Sequence, residues 1–509
     1  MAEAAYLGVD VGSTSVKAAV FTASGRRLGA AALPSRSIRL RPGWSEQDMD
    51  EVWATTLAAM RNALSDAGDV DIASIGVSGQ GDGLWALDAD LRPVRNAILW
   101  NDSRADDLVL DWIADGTSAV LSRTSRTSNW AGTAGTLLRW VKDNEPDKAG
   151  RVAHLLFCKD WVNLRLTGVL STDYSDASIP FLDIERRVYD TATLDLLGIG
   201  EFTDALPPPA RSTDIKGGLT ADAATALGLK AGTPVATGTI DLGAQMAGMG
   251  LGRPGGVYLV LGTTAMLNVV TEPEAFAGEP VGATLAHSYA DRFIRVIAPL
   301  TGTQAYDWFV SLHPDLATAG DTAAIASAYG RLAATAPVGS HGVQFLPYLA
   351  GERAPFVAPQ ATGAFHGLTT ATSRADLARA VLEGVAYSLK HCFRSTGLGQ
   401  PAQVVLTGGG GRNALWCDIL ASVLGTTILA SDDSDHGLWG AALIAAATVG
   451  HVDIDARPRR TERLRRHTPD PADAARYEPL FELYAATAGL SPPIWNARRA
   501  TLRSSGAPS

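Results

Sequence analysis

The chain has 509 residues, too many for one hydrophobic core, so two or three domains are expected. Hydrophobic residues make up 46% and charged residues 19%, the balance of an ordinary soluble globular protein. A formal charge of −10 and an isoelectric point near 5.4 argue against a nucleic-acid partner held on a general basic surface.

Residues 6 to about 33 read as strand, turn and strand. In Val9-Asp10-Val11-Gly12-Ser13-Thr14-Ser15-Val16-Lys17 an apolar run enters a glycine-opened, hydroxyl-bearing tip and a second run leaves it, the pattern of a hairpin. Nothing bulky blocks such a tip, so its backbone N–H groups and hydroxyls can surround a phosphate. The loop Pro42–Asp48 leads into a helix beginning near Asp50, with Val52, Trp53, Leu57 and Met60 at helical spacing. Ile75–Gly79 is a short strand running into the turn Gln80-Gly81-Asp82-Gly83. A helix-rich region follows Trp100, and Trp112, Trp130, Trp140 and Trp161 read as core or cleft packing. Leu206–Pro209 opens a loop, and Val235–Asp241 is a strand meeting a helix of small residues. Gly250–Gly255 has the G-x-G-x-x-G spacing, but a helix precedes it and a strand follows, so it reads as an interdomain turn.

The second half repeats this order. Leu259-Val260-Leu261-Gly262-Thr263-Thr264-Ala265-Met266-Leu267 is a second hairpin tip, and Val404–Thr407 runs into Gly408-Gly409-Gly410. Ile428–Asp432 is then followed by the small-residue run Gly440–Ala446. Three matches in one order argue for two homologous α/β domains, 1–248 and 249–455, with a C-terminal helix and tail over 456–509. Tips facing each other across a cleft would hold a nucleoside triphosphate. Arg457 to His467 reads as a solvated basic segment, the last helix spans about Tyr477–Gly489, and the tail from about Ser504 reads as disordered.

Cys158, Cys392 and Cys417 have no metal-ligand spacing and read as buried thiols of a reducing compartment. No secretory signal and no run long enough to cross a bilayer is visible, which points to the cytoplasm, away from membranes. The oligomeric state stays open, a homodimer included.

Phosphoryl transfer from ATP needs charge neutralisation, a held Mg²⁺ and an aligned acceptor oxygen. Asp10 suits Mg²⁺, as a hard carboxylate does, and Gly12, Ser13 and Thr14 suit phosphate oxygens. Lys17 is either an exposed strand lysine or a group reaching the transferring phosphate. Gly262, Thr263 and Thr264 would cradle phosphates from the second domain. Gly409 and Gly410 offer a flat backbone for adenine, with Asn413 beside the base or ribose. Asp241 sits at a strand-to-helix junction, where it is either a helix cap or a general base for the acceptor hydroxyl. Gln80, Gly81, Asp82, Trp100, Asp102 and Arg104 suit a polyhydroxylated acceptor, although Asp102 and Arg104 can equally pair with each other.

Over about 6 to 450 the chain resembles the FGGY carbohydrate kinases of the actin and hexokinase ATPase superfamily. The resemblance rests on Phe345-Leu346-Pro347-Tyr348-Leu349-Ala350-Gly351-Glu352-Arg353-Ala354-Pro355, on Gly363–Thr369, on Trp44–Gln47 and on Leu99–Arg104. It implies two RNase H-like domains with an interdomain cleft, Mg-ATP in that cleft and a catalytic aspartate at Asp241, which also lies beside the metal. The nearest branch is xylulokinase. That branch places Met-His where this chain has Gly81-Asp82, and glycerol and erythritol kinases are more similar at this point. The resemblance therefore implies a kinase of a pentulose, with a tetritol or glycerol-type polyol as the alternative. The reading from a different class is a non-enzymatic protein that binds ATP and changes shape.

Overall fold

The computed structural model describes residues 4–272, 282–433, 435–456 and 464–504. The basic run 457–463 and the end of the tail, 505–509, lie outside the described residues. The chain forms two compact units, one of residues 1–253, 271–294 and 434–461 and one of 254–270, 295–433 and 462–509.

In the first unit, β1 (Ala5–Val11), β2 (Ser15–Thr22) and β3 (Arg27–Pro34) form an antiparallel meander. Asp48 caps α1 (Met49–Ala67), its carboxylate accepting from the amides of Asp50 and Glu51. The strand β4 (Ile72–Gly79) pairs parallel with β1. Beyond it come α2 (Cys158–Thr167), β5 (Ile215–Gly218), β6 (Pro234–Ala236), β7 (Thr239–Ile240) and α3 (Asp241–Gly248). The sheet order is β5-β6-β4-β1-β2-β3, and β7 also runs parallel to β4.

Strand alternation gives the sheet two apolar faces. Leu7, Val9, Val11, Val16, Ala18 and Val20 pack against the α1 side, with Val52, Ala59 and Met60. Tyr6, Ala19 and Phe21 face Leu438, Trp439 and Ala442 of the helix His436–Thr448. That helix is rich in alanine and lies close to the backbone of the sheet. A Cβ on Gly8 would overlap the carbonyl of Leu438, one on Gly76 that of Ala441, and Ser74 Oγ donates to the carbonyl of Ala445 at 2.6 Å. The division at 249–455 read from the sequence assigns this helix to the second half, whereas in the structure it completes the core of the first unit.

In the second unit, β8 (Val257–Leu261) and β9 (Ala265–Thr271) form the second hairpin, followed by α4 (Thr303–Ser311) and the long buried α5 (Arg374–Ser395). β10 (Gln403–Thr407) runs parallel to β8, then α6 (Ala414–Leu424), β11 (Thr427–Ala430) and the edge strand β12 (Arg465–His467) follow. The hairpin with a parallel strand beside its first arm thus occurs in both units, as the repeat predicts. Two details differ from the sequence reading. Arg465 to His467 are an ordered strand, with Arg465 donating to the Gly411 carbonyl at 2.9 Å and His467 bonded to Asp418 at 2.7 Å. The last helices start earlier and run longer, over Pro471–Leu490 and Pro492–Ser504.

The remaining sequence expectations concern single side chains. All three cysteines are free and buried. Trp112 and Trp161 are core residues, 6% and 1% exposed. No helix of the described residues is long and apolar enough to cross a membrane.

Candidate active site

In the first unit three parallel strand ends meet. Asp10 pairs in register with Ser78, Val11 with Gly79, and Thr239 and Ile240 with the same two residues from the other side. The turns leaving these strands are therefore neighbours, and they carry Asp10 and Gly12–Thr14, Gln80–Gly83, and Asp241. Ligands of open α/β sheets bind outside such carboxyl ends.

Three carboxylates converge here. Ser78 Oγ donates to Asp10 at 3.1 Å, and Lys17 stands opposite Asp10 across the hairpin. Burial still raises the Asp10 carboxyl above its ordinary range, with Ser78 and Lys17 partly offsetting it. Burial, then the charge of Asp10, push Asp241 up to about 7. Burial, then Asp241, push Asp82 up to about 8. Asp241 opens α3 as its first residue, and its Oδ1 accepts from the Leu242 amide at 2.6 Å. Ile240 stands at the cap position and no side chain caps this end of α3, so the helix-cap reading of Asp241 is corrected, although the Leu242 amide still occupies one of its carboxylate oxygens. Acids that raise one another's pKa form a donor set that fits a hard cation. Among the described residues no group of three His, Cys, Asp or Glu side chains placed to hold a metal ion occurs, and Asp10 and Asp241 are two carboxylates of this set whose charges interact.

The first tip is braced from behind. The Ser13 carbonyl accepts from Ser37 Oγ and from Gln47 Nε2, both at 3.2 Å, and Gln80 Nε2 donates to Gln47 Oε1 at 2.7 Å. Gln80 is buried by this contact, so it links the two turns, and its own Oε1 is left without a partner. Thr14 is exposed, Ser13 half-buried.

Gly81 lies directly against Ile240. A Cβ there would overlap Ile240 Cδ1 and sit 3.5 Å from Asp176 Oδ1. The small residue at 81 therefore makes room for the chain's own isoleucine. Trp100 is 42% exposed and stays available, its backbone packed on Gly132. Asp102 and Arg104 do pair with each other. Arg104 Nε and Nη2 donate to the two Asp102 oxygens at 2.8 Å each, Ser45 N donates to Asp102 at 2.6 Å, and neither side chain is exposed. Arg104 also stacks over Trp44 at 4.0 Å and pairs with Glu46. The pairing that the sequence left open is thus the one observed, within a buried network, while Arg104 Nη1 has no hydrogen-bond partner.

Sequence reasoning missed the buried support of Asp241. Lys159, in the first turn of α2, is fully buried and bridges Asp160, Asp173 and Asp176. Burial opposes its charge, but the three acids outweigh burial and hold it firmly ionised. Asp173 in turn accepts from Ser175 Oγ at 2.6 Å and Ser212 Oγ at 3.2 Å, and Ser175 Oγ accepts from the Ile240 amide at 3.1 Å. A lysine set among Phe157, Cys158 and Trp161 was the available signal.

The second unit brings together its own set. Gly262, Thr263 and Thr264 form the hairpin tip, with both threonines exposed. The Gly-rich turn lies alongside, a Cβ on Gly408 falling 2.6 Å from the Leu261 carbonyl and one on Gly410 overlapping the Leu261 side chain. Gly409 is exposed next to Thr303. Asn413 caps α6, its Oδ1 accepting from the Trp416 amide at 3.1 Å, while its buried Nδ2 has no hydrogen-bond partner.

Residues 5–250 match the N-terminal domain and 257–449 the C-terminal domain of the FGGY family of carbohydrate kinases, and the chain belongs to that family. It is 33% identical over 490 residues to the xylulose kinase of Escherichia coli, covering 94% of this chain and 97% of the relative. It is 29% identical to the erythritol kinase of Brucella abortus, covering 96% and 97%. The structure of xylulose kinase from Rhodospirillum rubrum superposes with a TM-score of 0.87 at 27% identity, covering 96% and 99%. The protein is thus a sugar kinase, an enzyme moving phosphate to an alcohol, and kinases of this family take that phosphate from ATP.

Proposed function

We propose that the protein phosphorylates a hydroxyl of a small sugar or polyol, a pentulose of the xylulose type, with Asp241 as general base. The observation carrying this reading is the meeting of Asp241, Asp82 and Asp10 at three neighbouring strand ends, with Asp241 poised near neutrality. The acceptor hydroxyl oxygen forms the new bond to the γ-phosphorus while its proton passes to the free oxygen of Asp241. The bond from that phosphorus to the bridging oxygen breaks, and ADP leaves with the electron pair. Asp82 and Gln80 orient neighbouring hydroxyls, and the exposed face of Trp100 packs on the carbon skeleton. Gly12, Ser13 and Thr14, with Lys17 near Asp10, serve the transferring phosphate. Gly262, Thr263 and Thr264 hold the remaining phosphates, and Gly409, Gly410 and Asn413 the nucleoside. Asp10 and Asp241 would hold Mg²⁺, whose charge neutralises the phosphate oxygens.

A second acceptor class, a tetritol or glycerol-type polyol, is favoured by one observation: the Asp82 carboxylate stands beside Asp241 with no hydrogen-bond partner among the described residues. Coupled ADP release over ketopentoses, tetritols, glycerol and hexuloses decides between the two. The base is tested with Asp241→Asn. It is expected to lose about 10²- to 10⁴-fold in kcat while the acceptor still raises the melting temperature. Turnover retained in that variant removes Asp241 from the role.

A further inference from the structure

The run Phe345–Pro355 is the most distinctive of the second half, and the reaction above gives it no task. Its Glu352 is 1% exposed. Oε1 accepts from three backbone amides, those of Leu300 at 2.9 Å, Arg353 at 2.8 Å and Ala354 at 3.3 Å. Glu352 and Ala358 exchange backbone hydrogen bonds of 3.0 and 2.8 Å, which closes the loop carrying the carboxylate. Arg353 Nε donates to the Ala298 carbonyl at 2.7 Å. Residues 298–300 thus hang from two adjacent side chains of the motif.

The same stretch of backbone then meets the second hairpin tip. The amide of Gly302 donates to the Thr263 carbonyl at 2.9 Å, Thr303 to the Gly262 carbonyl at 2.6 Å and Gln304 to Thr263 at 3.2 Å. The fit leaves no slack, since a Cβ on Gly302 would overlap the Gly262 carbonyl. These bonds occupy backbone carbonyls, and Thr263 and Thr264 remain exposed residues. Burying a carboxylate costs several kcal/mol, and simple packing would be served better by an apolar side chain. An acceptor is needed here because the loop amides have no strand or helix partner.

We propose that Glu352 is a positioning residue for the nucleotide: through Leu300 it fixes loop 298–304, and that loop fixes the Gly262–Thr264 tip. This rests on the reading of that tip as a phosphate cradle.

The test varies ATP and acceptor separately in steady-state kinetics and measures ADP binding by calorimetry, on wild type, Gly262→Val, Glu352→Gln, Glu352→Ala and Arg353→Ala. Glu352→Ala is expected to raise KM for ATP and Kd for ADP by about tenfold, the worth of one hydrogen bond to a charged group, with the acceptor KM within about twofold. Glu352→Gln keeps an acceptor oxygen and is expected to restore both nucleotide constants to within about threefold of wild type. Should Glu352→Ala fail to fold, Arg353→Ala loosens the same loop at Ala298 and is expected to raise KM for ATP about threefold. An unchanged nucleotide KM in whichever of the two variants folds overturns the inference, as does an equal rise for ATP and acceptor. The tip itself is tested by Gly262→Val. If that variant leaves ATP binding untouched, the phosphate cradle is misassigned. If it alone weakens ATP binding, the cradle stands and the relay through Glu352 falls.

Discussion

Asp82 has a φ of 56°, the left-handed region that a non-glycine residue occupies at a cost of about 1 kcal/mol. Its carboxyl lies close enough to Asp241 to feel that charge, and the pairing has kinetic consequences. A base must be ionised to work, so log kcat/KM for the acceptor is expected to rise with pH through about 7, the value of Asp241. Asp82 is protonated at that point, since its carboxyl titrates near 8. Asp82→Asn, which tolerates the same backbone, is therefore expected to keep the limb near 7 and to raise the acceptor KM about tenfold, one hydrogen bond's worth. A pH–rate series on both proteins reads this directly. The pair Gly81-Asp82 was legible as unusual because both residues stand together in the chain. Ile240 as the occupant of the space over Gly81 was not, because local pattern carries no information on which distant side chain fills a gap. Gly81→Ala is expected to lower both melting temperature and kcat, and Gly81→Ala combined with Ile240→Ala to recover part of each, since the second change removes the overlapping atoms.

The elements that carry the site were readable wherever the signal was a turn. Both hairpin tips announced themselves by glycine and hydroxyls between apolar runs, and α1 by the helical spacing of Val52, Trp53, Leu57 and Met60. The strut under Asp241 was illegible for the opposite reason. Lys159, Asp160, Asp173 and Asp176 are spread over a helix start, a short strand and a single helical turn, and charges so dispersed read as surface. Only the fold gathers them under Ser175 and the Ile240 amide. Lys159→Met leaves three buried acids around an apolar side chain, and a loss of about 3–5 kcal/mol of stability is expected. In whatever fraction folds, kcat should fall with KM for ATP unchanged, because the strut reaches the Asp241 turn and not the nucleotide tip. Thermal unfolding with kinetics on purified protein checks both parts.

At the scale of the molecule the repeat gave the order of elements, while the packing of one of them departs from its place in the chain. The His436–Thr448 helix sits where the repeat asks for it in sequence, yet it docks on the first sheet, with Gly8 and Gly76 allowing backbone approach. Element order says nothing about which sheet a helix covers. Its alanine-rich surface, buried all round, was the hint that it lies between the sheet and α3. Gly76→Val is expected to push that helix away and to cost about 1–3 kcal/mol, a drop of several degrees in melting temperature. The same docking has a consequence during synthesis. A nascent chain that has released only its first 250 residues still lacks the helix that covers Tyr6, Ala19 and Phe21. These residues stay open to water, or to a chaperone, until the segment ending at Thr448 clears the ribosome, so the part made first is among the last to finish folding.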